Sequence, residues 1–64
     1  MFDYMELRNQ MALHGLGLKA LSEKSGVSID TLTRILNHGR KPTIVTIGKI
    51  AAALGISPKD LLKE

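Results

Sequence analysis

Two histidines, six carboxylates and no cysteine are all that this chain of 64 residues offers to catalysis or metal binding. His14 and His38 lie far apart and lack the close spacing of a ligand pair, and without thiols neither a disulfide nor a thiolate metal site can form. The sequence holds no nucleophile–base–orienter set, no glycine-rich phosphate loop and no carboxylate pair at a useful spacing. Gly15-Leu16-Gly17 is too short and wrongly placed for a dinucleotide motif. The expectation is a protein that is not an enzyme and that needs neither cofactor nor metal.

Residues suited to non-covalent recognition are more plentiful, and they cluster. Residues 19–49 carry a net +4, while the first 18 residues carry −1 and residues 50–64 carry zero, within an overall +3. A basic middle suits a polyanion, because neutralising phosphates releases condensed counterions. A solvated, mildly basic surface is the plainer reading of the same charge. Within this stretch, residues 29–37 can be placed on a helix by setting Leu32 at zero and advancing about 100° per residue. Leu32, Ile35 and Leu36 then fall on one side, Asp30, Thr33, Arg34 and Asn37 on the opposite side, and Ile29 on the border.

The outer set has the chemistry of base recognition. The fork of Arg34 can bond both O6 and N7 of guanine, Ile29 can pack on a thymine methyl, and Asp30 can accept from cytosine N4. Asp30 in a first helical turn can equally do no more than offset the helix dipole. Ser28, Thr31, Asn37, His38, Arg40, Lys41 and Lys19 suit phosphate contacts, which set register more than sequence. Gly17, Leu18 and Lys19 can present backbone N–H groups at a helix start, which is an anion site in its own right. For Thr31, Thr33 and His38 an ordinary place on the surface is the competing reading, and Ser28 is a helix cap whatever else it does.

Those residues need helices to hold them. Asp3 followed by Glu6 has the form of a capping box, and Tyr4, Leu7 and Met11 recur at helical spacing, so the pattern predicts a first helix over 3–14 ending at Gly15. Leu16 reads as an apolar linker residue tucked under the next element. A second helix runs over Leu18–Ser25 with Leu18, Leu21 and Ser22 inward, Gly26 ends it, and Val27 sits in the turn. Ser28 caps a third helix over 29–37, whose exit is Asn37-His38-Gly39 and then a short basic loop that Pro42 brings to an end. Thr43 caps a fourth helix over 44–54, with Ile47, Ile50, Ala51 and Leu54 inward and Gly55 as its stop. Ser57-Pro58 begins a fifth, very short helix, and Leu61 and Leu62 complete the apolar set.

The whole is therefore expected to be one all-α domain over 1–64, a compact five-helix fold. A chain of this size buries only about 60% of the surface it exposes unfolded, and an apolar content of 44% can supply the economical core it needs. Phe2 and Tyr4 are its only aromatics, too few for a surface that stacks single-stranded nucleic acid. No segment approaches the roughly 18 apolar residues of a membrane span. Asp3 and Glu6 stand where a signal peptide carries positive charge, so a cytoplasmic location is expected.

The second and third helices, joined by a tight turn containing Gly26, have the arrangement of a helix-turn-helix. On the residues Leu21-Ser22-Glu23-Lys24-Ser25-Gly26-Val27-Ser28, Thr31 to Asn37 and Gly39 to Pro42, the sequence resembles the Cro/CI-type, or XRE-type, family of phage and bacterial regulators. Ile47, Ile50-Ala51, Leu54 to Ser57 and Leu61-Leu62 extend the resemblance to nearly the whole chain. It implies a lambda-repressor-like domain whose third helix enters the major groove of double-stranded DNA, and many such proteins are repressors that bind palindromic operators as homodimers. Two positions depart from the family's habit. Leu18 stands where Gln often contacts phosphate, and Met11 stands near a common Arg, with Arg8 one turn earlier. An antitoxin-like or other protein-interaction module is the alternative, with Ile44, Val45, Leu61 and Leu62 buried against another chain; the same residues could instead form the homodimer.

Overall fold

Every α-helix in this protein starts on a residue suited to capping and stops on a glycine, so the chain's punctuation largely dictates its architecture. A computed structural model describes residues 1–63 and contains, in order, α1 (Tyr4–His14), α2 (Leu18–Ser25), α3 (Ile29–His38), α4 (Ile44–Leu54) and a 3-10 turn (Pro58–Leu61). Asp3 Oδ1 accepts from Glu6 N at 3.0 Å, Ser28 Oγ from Thr31 N at 3.1 Å and Thr43 Oγ1 from Thr46 N at 3.2 Å. Each bond satisfies an amide that has no partner inside its helix. The capping box expected at α1 is half formed. The Glu6 carboxylate turns along the helix and accepts from Gln10 Nε2 at 2.8 Å instead of reaching back to Asp3.

The inward faces meet in one cluster to which every element contributes: Phe2, Leu7, Met11, Leu21, Val27, Leu32, Ile35, Ile47, Ile50, Ala51, Leu54 and Leu61. Helix α4 is the hub. It packs on α2, on the 3-10 turn and on α1, while α2 and α1 each pack on α3. Ile47, Ile50 and Leu54 are the large side chains it buries, each stabilising the fold by about 1.5–3 kcal/mol. No polar or charged side chain is buried among the described residues, so the core carries no desolvation penalty. Pro42 is buried too, which anchors the loop between α3 and α4 as well as breaking the helix.

Three expectations need correction. The fifth element is a 3-10 turn of four residues and not an α-helix. Ser57 N donates to the Asp60 carboxylate at 3.1 Å, and the chain then turns extended at Leu62, leaving no length for i→i+4 bonding. Leu62 does not complete the core but is 46% exposed. Its backbone lies opposite Phe2 in an isolated antiparallel bridge just beyond the 3-10 turn, and Leu61, the last residue of that turn, takes the core position instead. Third, α3 runs one residue further than expected, to His38, before Gly39 adopts a left-handed φ of 65°.

Phe2 is not legible as a core residue from the sequence. It lies ahead of the first helix, and its burial depends on residues about sixty positions away. Asp3 N donates to Leu61 O at 2.7 Å and Lys63 N to Met1 O at 2.8 Å, so the two ends form a short antiparallel ribbon that presses the Phe2 ring inward. The ring meets Tyr4 edge-on at a centroid distance of 5.0 Å.

Candidate nucleic-acid interface

The turn between α2 and α3 decides where the outer face of α3 points. Gly26 has φ 77°, a left-handed conformation that side chains resist, and its N–H donates to Ser22 O. Val27 N donates to Ser25 Oγ at 3.1 Å, and the Val27 side chain is buried, so the turn is held by its backbone and by the core together. Ser28 then starts α3, whose buried residues are Leu32 and Ile35, with Leu36 packed at the core's edge. The phase deduced from the sequence is the phase observed.

That phase leaves Asp30, Arg34, Asn37 and His38 on the open side, with Ile29 45% exposed at the helix start. Thr33 and Thr31 are half-buried, so both are less prominent than the outer-face assignment alone suggests. Thr31 is tied to the cap as an acceptor, with Ser28 Oγ donating to Thr31 Oγ1 at 2.9 Å while accepting from its N–H, and its own O–H is left to donate elsewhere. Asp30 and Arg34 are joined. Arg34 Nε lies 3.2 Å from Asp30 Oδ2, one helical turn apart, with side-chain exposures of 55% for Arg34 and 74% for Asp30.

The flanks of this face come from other elements. Helix α2 begins at Leu18 after Gly17, which has extended backbone and supplies no side-chain cap. The first-turn amides of Leu18, Lys19 and Ala20 therefore have no partner within the helix and remain available as donors to an anion. Leu18 and Asn37 line one open groove of about 360 Å³ together with Arg8, Met11, Ala12, Leu16, Gly17 and Leu36, so the start of α2 and the end of α3 share a surface. Lys19, Arg40 and Lys41 are all exposed. Among the described residues, no group of three or more His, Cys, Asp or Glu side chains is arranged to hold a metal ion.

Two residues that hold the surface in place escape a reading of the sequence. Arg8 Nη2 donates to Leu36 O at 2.6 Å, and Tyr4 OH donates to Gly39 O at 3.0 Å and to Arg40 O at 3.2 Å. Helix α1 thus caps a C-terminal carbonyl of α3 and moors the basic loop beyond it. In the sequence Arg8 stands out only as out of register with the usual family arginine, and Tyr4 only as part of a helical stripe. Neither bond has a local signal, since the partners lie 28 to 36 positions along the chain.

A short helix held against its neighbour by a glycine turn, with its polar side turned out and a basic loop moored beyond it, defines a helix-turn-helix domain, a class of DNA-binding transcriptional regulator. The chain belongs to one family within that class, the Cro/C1-type HTH DNA-binding domain, whose family model matches residues 6–63. Among solved structures it is similar to the restriction-modification controller protein C.AhdI from Aeromonas hydrophila. The likeness has a TM-score of 0.84 and 29% identity, and it covers 92% of this chain and 89% of that one. No curated protein matches the chain. No helix among the described residues is long and apolar enough to cross a membrane.

Proposed function

We propose that this chain acts as a sequence-specific repressor that lays α3 in the major groove of a palindromic operator and binds it as a homodimer. The observation that carries the reading is the outward face of α3, where Arg34 and Asp30 project from the helix and Ile29 lies beside them at its start. A helix is about 10–12 Å across with its side chains and the major groove about 12 Å wide, so α3 fits within it and its ten residues offer about 15 Å of length to the base edges. Arg34 pairs with a guanine and Ile29 packs on a thymine methyl, with Thr33 beside them. Ser28, Thr31, Asn37, His38, Arg40, Lys41 and Lys19 hold phosphates, joined by the backbone amides at Leu18.

Control of transcription is supported by the likeness to a restriction-modification controller, and dimerisation by an unpartnered apolar pair. Ile44 is 87% exposed and Val45 66% at the start of α4. Leu61, a candidate for the same contact on sequence grounds, is wholly buried and unavailable. The decisive experiment is selection of bound sequences from a random duplex pool, with light scattering of the free and bound protein. The expected result is a symmetric motif with two protomers per site. Recovery of unselected sequence, or binding that does not change with salt, would remove the reading. A free protein that pairs only with a different chain would favour the protein-interaction alternative.

A further inference from the structure

We infer that Asp30 is a positioning residue for Arg34: its carboxylate grips the guanidinium side-on and aims the remaining donors at the base. This rests on the reading that Arg34 contacts a base, and it concerns how that contact is made selective. A guanidinium has one inner nitrogen and two terminal ones. The Asp30 carboxylate pairs with the guanidinium on the side of the inner one, with Oδ2 3.2 Å from Nε. The two terminal nitrogens are left as an outward fork, the geometry that meets O6 and N7 of guanine together. The alternative, in which Asp30 accepts from a cytosine, needs the same carboxylate to turn away from the arginine it holds.

The arrangement acts on specificity from both directions. An arginine steered by a carboxylate meets its base already oriented, and one not steered samples phosphates as readily as bases. The carboxylate itself stands 74% exposed on a face built for a polyanion. There it repels phosphates wherever no guanine rewards the fork. Asp30 therefore lowers binding to arbitrary duplex while raising preference at one base pair.

The test compares the intact chain with Asp30→Asn, Arg34→Ala and the double variant. Each is titrated against the duplex selected from the random pool, its single-base-pair variants, and a random duplex. The expected result is that Asp30→Asn loses about threefold preference at one base pair, the size an exposed ion pair can impose. It binds random duplex at least as tightly as the parent and melts at nearly the parent's temperature. In the Arg34→Ala background the same substitution has no effect on base preference. A preference lost equally with and without Arg34 would make Asp30 a direct reader and overturn the inference. Equal weakening on selected and random duplex, or no change at all, would overturn it too. If Arg34→Ala leaves every base preference intact, base reading by Arg34 fails and this inference falls with it. If Arg34→Ala abolishes a preference that Asp30→Asn leaves alone, only the orienting role is lost.

Discussion

Leu32 and Arg34 stand two positions apart on α3 and answer to different physics. Leu32 is wholly buried, so Leu32→Ala is expected to cost about 2–5 kcal/mol of folding stability, read as a lower denaturant midpoint. Arg34 is exposed, so Arg34→Ala is expected to leave stability nearly unchanged and to cost about 1–3 kcal/mol in binding, concentrated at one base pair. Equal losses on selected and random duplex would reassign Arg34 to a phosphate. This division is legible from periodicity alone, because apolar residues three and four apart fix a helix's phase. The reach of Arg8 to Leu36 and of Tyr4 to the loop after α3 is not, because a local pattern carries no information about which distant carbonyl a side chain will meet.

At the scale of elements, boundaries are the most readable feature and handedness the reason. Gly26 takes φ 77° with open space around the position a Cβ would occupy, so Gly26→Ala meets no clash and is expected to cost only the left-handed strain. That strain is about 1–2 kcal/mol, and it should appear as a fall in melting temperature. A loss much larger would mean that the substitution has reorganised the turn and re-aimed α3. Ser28→Ala removes the cap that holds Thr31 N–H and is expected to cost about 1 kcal/mol, measured the same way. The kind of helix after Ser57 is beyond such local signals. A serine, a proline and an acid announce a start, but with the chain about to run extended against Phe2, one tight turn is all that fits.

The whole molecule is small enough that its margin is thin. Domains are stable by roughly 0.05–0.15 kcal/mol per residue, which leaves only several kcal/mol for a chain of this length. Phe2→Ala, expected to cost about 3–5 kcal/mol, therefore threatens the entire fold, although Phe2 lies outside every helix. A cooperative melt near the parent's temperature would show that the terminal ribbon is dispensable. The overall +3 charge, concentrated around α2, α3 and the loop between α3 and α4, sets the salt response: affinity for duplex is expected to fall steeply as salt rises.

That ribbon has one further consequence. Met1 and Lys63 exchange backbone hydrogen bonds of 3.1 and 2.8 Å, so the polypeptide is already nearly a closed ring. Joining this stretch of chain head to tail through a short flexible linker would complete the circle where Met1 and Lys63 already lie side by side. The unfolded ring would lose much of its conformational freedom, a gain on the order of 4 kcal/mol in chain-entropy terms, with α3 untouched. New ends could then be cut between α1 and α2, giving a permuted protein that still presents the same face of α3.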